Sequence, residues 1–371
     1  PAGCLDRIGW RRAIRSNGDL DVPPDPPSIA DEDIVWLREA RAFTERPPLS
    51  ARIPVNYRLV PGWARALAAS AVGRWNRRRV DRWALFPGWP IDLSVDVLDD
   101  LRSTTPESGG SSQTAWQSKP GPTPVVLTHD IDSAEGLQNL VSRFLPMEEA
   151  VGARSTSYIV PCDWRVDHGL VDEVAARGHH LGVHGYDHSN RTPFAASEER
   201  ARRLDAAKAF AERYGAMGYR APSLLRTREL LRDVGSRYRY DTSIPTSGGL
   251  FPTANNGCAT ARPFVVEDAV ELPISLPRDG SLRFLGYSAD EIPKMWMDCA
   301  DLVRRSRGVV VLLTHCERRF SGDPGMIRAY DQFLRHIAGH DRDFAFSTAD
   351  AVLQGMHLPP RVSQANADSA R

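Results

Sequence analysis

From Pro124 onward the chain alternates short strand-like runs with helical segments, and this alternation limits the folds open to it. Val125–Thr128, Ser155–Val160 and Leu181–Val183 read as buried strands, and Val309-Val-Val-Leu-Leu313 is the strongest of them. Between them, Val171–Arg177 is a short helix stopped by Gly178. Glu198–Tyr214 places Leu204, Ala207, Phe210, Ala211 and Tyr214 on one face, the pattern of an amphipathic helix. Strands alternating with helices predict an α/β fold with a parallel sheet or barrel. Active residues are then expected just past the strands' C-terminal ends.

Polar residues stand at those positions. Asp130 and Asp132 follow the first run, His184 and His188 the third, and His315 the strongest one. On an extended segment Asp130 and Asp132 point the same way, because side chains repeat every two residues. One can bind a metal while the other faces the water bound to it. His184 and His188, four apart, can approach one ion from a loop or a single turn. Two imidazoles and a carboxylate form a three-ligand site with room for water, a hydrolytic rather than a structural layout. The bland alternatives are a loop carboxylate pair and two surface histidines. His129 reads as a packed or hydrogen-bonded core residue, and Cys316 as a small buried one. At Arg220-Ala-Pro222 the proline restrains the loop, and the guanidinium can hold a carboxylate.

Composition excludes several classes. Among 371 residues, 47 Lys and Arg balance 47 Asp and Glu, so no global field favours nucleic acid or an anionic membrane. Five scattered cysteines without a Cys-x-x-Cys give neither a thiolate metal site nor a disulfide framework, and suit a reduced, cytoplasmic setting. The chain begins at Pro1 and shows no secretory pattern at its start. No apolar run is long enough for a membrane helix. The closest, Gly62 to Gly73, contains Arg65, leads into Arg74, Arg77, Arg78 and Arg79, and reads as a surface helix with a basic end. Phosphate-loop and nucleophile-elbow motifs are missing.

Four regions separate by composition. Residues 1–102, rich in Trp, Arg and Pro, read as an extension packed on the main domain. Within it Val22–Ser28 is an extended proline-rich spacer. Trp83–Asp92 is an aromatic packing element, with a sugar-stacking surface as the sharper alternative. Residues 103–123 read as a flexible linker or loop, 124–358 as the catalytic domain, and 359–371 as a disordered tail.

Five segments, in order, resemble the motifs of the NodB-homology polysaccharide deacetylases, carbohydrate esterase family four. They are Thr128-His-Asp130-Ile-Asp132, Gly178 to Ser189 with His184 and His188, Tyr219-Arg220-Ala-Pro222, Tyr240-Asp241-Thr-Ser243, and Leu312-Leu-Thr-His315. The resemblance covers about Pro124 to Leu353 and implies a distorted (β/α) barrel of NodB type. It implies Asp132, His184 and His188 as ligands of one divalent ion, zinc or another late first-row metal. Asp130 becomes the general base, Arg220 its positioner, and His315 the general acid, with Asp241 orienting or tuning it. Ser223 departs from the family's usual aromatic, although its backbone N–H remains a candidate oxyanion donor. The implied reaction is metal-dependent removal of N-acetyl groups from an amino sugar in a glycan or glycoconjugate precursor. The alternatives are hydrolysis of cyclic amides, of the allantoinase or imidase kind, and a non-catalytic carbohydrate-binding relative. The expected partner is an N-acetylated carbohydrate, with no nucleic acid.

Overall fold

The computed structural model describes residues 31–52, 60–103, 116, 120–248, 257–354 and 356. The proline-rich spacer, most of the 103–123 segment and the 359–371 tail lie outside the described residues.

Among the described residues, nine strands form one sheet: β1 (Thr123–Ile131), β2 (Thr156–Ile159), β3 (His180–Val183), β4 (Gly218–Tyr219), β5 (Tyr240–Asp241), β6 (Phe264–Val266), β7 (Ala269–Glu271), β8 (Val310–His315) and β9 (Phe344–Ser347). Their order is β8-β1-β2-β3-β4-β5-β7-β6, with β9 also on β1, and every pairing but β6–β7 is parallel. The sheet curls into a distorted (β/α) barrel. Leu272–Leu276 brings its ends together. Ile274 N–H donates to Ile244 O at 3.0 Å on one side, and Leu276 N–H donates to Val311 O at 3.1 Å on the other.

Period-two alternation assigns each strand residue to one of two cores. On β1, Val125 and Leu127 pack outward against the helices, while Val126 packs inside the barrel. On β8, Val310 and Leu312 face outward and Val311 inward, as does Val309 just before the strand. The interior also takes two large rings, Tyr158 and Tyr240, whose hydroxyls lie 3.2 Å apart. A Cβ on Gly182 would lie 2.4 Å from the Tyr158 ring, so glycine there makes room for it.

The outer layer includes α1 (Asp31–Glu39), α2 (Gly62–Arg77), α3 (Ser94–Ser103), α4 (His168–Ala176), α5 (Ser197–Tyr214), α6 (Arg228–Gly235), α7 (Asp279–Leu285), α8 (Glu291–Arg305) and α9 (Pro324–Gly339). The expected helices are α4 and α5, which begins one residue early and ends at Gly215 in the left-handed conformation. The described part of the extension packs on the barrel. Asp96, on α3, accepts from Ala261 N–H at 3.0 Å. Trp89 stacks on Tyr287, supporting the packing reading of the Trp83–Asp92 element. The Gly62–Gly73 segment continues to Arg77 as α2 and lies on α7. At Gly73 the backbones approach so closely that a Cβ would fall 1.9 Å from the Phe284 carbonyl oxygen. A helix read as a surface element is therefore also a cover over the barrel mouth.

Candidate active site

Strand register assembles the site. Ile131, Ile159, Val183, Tyr219 and Asp241 lie in one row across β1 to β5. The first four pack outward against the helices. The next residue along each strand turns toward the barrel mouth, and that set includes Asp132, His184 and Arg220. On the other side of β1, His315 pairs directly with Asp130. Asp130, Asp132, His184 and Arg220 are all buried.

Asp132, His184 and His188 offer ligand atoms that lie within 4.8 Å of one another. His184 Nε2 is 3.6 Å from Asp132 Oδ1, and His188 Nε2 is 3.5 Å from Asp132 Oδ2. His184 Nδ1 lies 3.0 Å from the Arg220 carbonyl, an acceptor, so Nδ1 carries the proton. The Nε2 lone pair then points toward carboxylates. This buried Nε2 makes no hydrogen bond. Acceptors converging at such distances can share one cation, and a carbonyl-anchored imidazole is the usual metal-ligand arrangement. The residues present fit a divalent ion.

Arg220 forms the floor. Its Nη1 donates to Asp130 Oδ1 at 2.8 Å, its Nε to Thr242 O at 2.9 Å, and its Nη2 to Thr128 Oγ1 at 3.0 Å. The guanidinium lies 4.1 Å over the Tyr158 ring. Burial pushes the Asp130 carboxyl up, but His184, Arg220 and His315 outweigh it and hold the group below its ordinary value. Asp130 Oδ2 is left facing the two functional sides, 3.5 Å from His184 Nε2 and 4.0 Å from His315 Nε2.

His315 has a partner that the sequence reading missed. Its Nδ1 lies 2.8 Å from Asp279 Oδ1, its backbone N–H donates to Asp279 Oδ2 at 2.8 Å, and Ser321 Oγ donates to Oδ2 at 2.8 Å. Burial lowers the imidazole pKa, but Asp279, then Asp130 and Asp132, raise it to about 9. This corrects the expectation for Asp241. That residue sits in the outward-facing row, where its carboxylate accepts from Ser243 N–H and Ser243 Oγ, each at 2.9 Å, and pairs with the buried Glu271. Side-chain parity turns it away from His315. Asp279 begins α7 within Pro277-Arg-Asp-Gly-Ser281, a stretch that reads as a plain turn. A carboxylate at a helix start that reaches the end of a neighbouring strand gives no local signal.

Glu317 was also missed. Its Oε1 accepts from Asp132 N–H at 3.1 Å and Ser133 Oγ at 2.8 Å, tying the Asp132 loop to the end of β8. Burial and then the Asp132 charge push it up to about 7. His129 is a buried, hydrogen-bonded residue, as expected. It faces outward, with Nε2 2.7 Å from Glu148 Oε1 and Nδ1 2.8 Å from Thr314 Oγ1. His179 is likewise structural, bonded at the Ser155 N–H, and Cys316 is buried. Ser223 and Leu224 both hold positive φ, at 53° and 56°. Ser223 lines a cavity of about 420 Å³ above Asp130, Asp132, His188 and His315. Its far wall is Ala66, Ala69 and Val72 of α2 with Phe284 and Phe320.

Residues 117–241 match the family model described as polysaccharide deacetylase. Over these residues the chain is similar to the NodB-homology polysaccharide deacetylases. No curated protein matches it in sequence. In structure, the chain is similar to a Mycobacterium smegmatis protein provisionally described as a polysaccharide deacetylase. The two are 18% identical with a TM-score of 0.52, over 66% of this chain and 93% of that one. It is also similar to a family 4 carbohydrate esterase from Streptomyces lividans in complex with acetate, at 15% identity and TM-score 0.42, over 65% and 99%. A third similar structure is the Puue allantoinase, at 15% identity and TM-score 0.46, over 72% and 97%. At these identities the likeness speaks for the fold, and the NodB-type barrel follows from the first of them.

Proposed function

We propose that the chain is a metal-dependent carbohydrate deacetylase that removes an N-acetyl group from an amino sugar of a glycoconjugate precursor. One observation carries this reading. A three-ligand set lies on one side of Asp130 Oδ2, and His315 Nε2 lies on the other. The family match supports the same reaction class. Asp132, His184 and His188 would hold the ion, zinc or another late first-row metal. When bound, it supplies Lewis-acid polarisation of the amide carbonyl and activation of a water.

The chain's own residues divide the proton work. Arg220 fixes Asp130 Oδ1, which leaves Oδ2 to take the proton of the attacking water. The carboxylate is ionised, because Arg220 and the two histidines keep its pKa low. His315, protonated through Asp279, gives its Nε2 proton to the departing amine nitrogen. A C–O bond forms, the C–N bond breaks, and acetate and a free amino sugar leave. The Ser223 backbone N–H at the pocket wall is the candidate donor to the developing oxyanion.

The pocket supports a compact substrate. Its volume of about 420 Å³ is in the range of small-molecule sites, and α2 stands over it where a polymer would need an open groove. That favours one terminal sugar unit over an internal unit of a long chain. The same compactness suits a cyclic amide, so the test must separate the two. Purified protein is analysed for metal, then assayed for acetate release from N-acetylated sugars and nucleotide sugars, and for ring opening of allantoin and related imides. Acetate release that disappears in His188→Ala together with the metal is the expected outcome. Ring opening without acetate release would overturn the deacetylase reading, and neither activity in metal-loaded protein would leave a binding relative.

A further inference from the structure

Helix α2 has two faces with different chemistry. Ala66, Ala69 and Val72 line the catalytic pocket, and Gly73 packs on α7. On the opposite side Trp63, Leu67 and Trp75 are 70%, 65% and 66% exposed. These positions and Ala71, four residues apart, form one outward row along the helix. Single exposed aromatics are ordinary, but two tryptophans and a leucine in one row make an apolar strip of the kind that marks an interaction site.

The strip ends in cations. Arg74, Arg78, Arg79 and Arg82 are exposed, and Asp81 is the one acidic residue between Pro61 and Arg82. The Arg79 guanidinium lies 5.3 Å over the Trp75 ring. The whole chain has no net charge, so this concentration is local. Tryptophan settles at the headgroup level of a bilayer, and arginine pairs with anionic headgroups. No described helix is long and apolar enough to cross a membrane. A 16-residue helix with one apolar face and a basic end suits lying in the interface instead. A second copy of the chain brings no acidic row on this helix to meet the arginines, whereas an anionic bilayer complements each of them.

We propose that α2 is an interfacial helix that seats the protein on an anionic phospholipid surface, with the catalytic pocket directly behind it. Val72 links the two, since it lines the pocket and is 39% exposed. The proposal stands on the outer face alone and does not depend on the reaction assigned to the pocket.

The test is flotation of the full chain with phosphatidylcholine vesicles, with and without about 30 mol% phosphatidylglycerol. The wild type should float with the anionic vesicles and stay behind with the neutral ones. Each of Arg74→Gln, Arg78→Gln and Arg79→Gln should weaken partitioning about five-fold at low salt. Leu67→Glu should abolish it while the far-ultraviolet spectrum and metal content stay normal, because Leu67 touches neither pocket nor core. Two outcomes overturn the proposal. One is wild-type protein that remains in solution with anionic vesicles. The other is Leu67→Glu floating like the wild type. Sedimentation velocity adds a third. A dimer that Leu67→Glu dissociates, without flotation of the wild type, would assign the strip to a second copy.

Discussion

Asp279 lies against His315 Nδ1 and backbone N–H, and this arrangement gives the site its pH dependence. The imidazole pKa is raised from 6.5 to about 9, so the acid form persists through neutrality. Turnover on amides should therefore fall as pH rises through about 9. The low-pH limb should lie below the ordinary carboxylate range, following Asp130. Asp279→Asn removes the charge that holds the proton. The high-pH limb should then move down toward about 6.5, which a kcat profile measures. The same pair contributes stability. The contribution is complete below about pH 6.5 and is lost as pH rises through about 9, so the wild-type Tm should drop across that window more than that of Asp279→Asn. Asp130 separates base from ligand. Asp130→Asn should keep the metal and lose about 10² to 10⁴ in rate, whereas Asp132→Asn should lose the ion as well. Near-normal kcat in Asp130→Asn would transfer the base role to another group. His315→Gln should slow amides more than an activated ester whose leaving group needs no proton, and equal slowing would remove the acid role.

At the level of elements, the strands do more than carry residues, because their register decides which side chains meet. The tyrosine rings inside the barrel are part of this. Tyr158 packs where Gly182 leaves space, and its face supports the Arg220 guanidinium. Gly182→Ala should push the ring away, destabilise the protein by about 1–3 kcal/mol, and lower kcat through Arg220 and Asp130. Denaturant midpoints and kcat measured together check this, and a loss of stability with unchanged kcat would mean that Arg220 keeps its place without the ring. The same elements show how much of the fold was legible. β1, β2, β3, β8, α4 and α5 were readable from period and breaker residues to within a few positions. The two-residue strands β4 and β5 and the β6–β7 hairpin were not, because such short runs have no period to detect. Tyr240-Asp241 looked like a site motif, yet one step of strand parity sends the Asp241 carboxylate to the other face.

For the whole molecule, the ligand set is held by loops from β1 and β3, so the ion would join parts of the chain more than fifty residues apart. Metal-loaded protein should melt at a higher temperature than protein treated with a chelator, and re-addition of zinc should restore the difference. His184→Ala and His188→Ala should show little of it. A Tm indifferent to metal in the wild type would argue against the site. The extension acts at this scale too, since α2 turns an open barrel mouth into a bounded pocket.

The sequence by itself determined the alternation of strand and helix, the carboxylate and histidine positions past the strand ends, and the packed, hydrogen-bonded role of His129. Each is a local pattern: a period, a spacing of two or four, or a stop signal. The tertiary structure decided that Asp279 rather than Asp241 serves His315, that Glu317 ties down the Asp132 loop, and that α2 roofs the pocket. Those contacts join residues 36 to 200 or so apart along the chain through register, barrel closure and helix packing. No local pattern encodes them, because a buried carboxylate and a turn carboxylate are the same residue until the strands are paired.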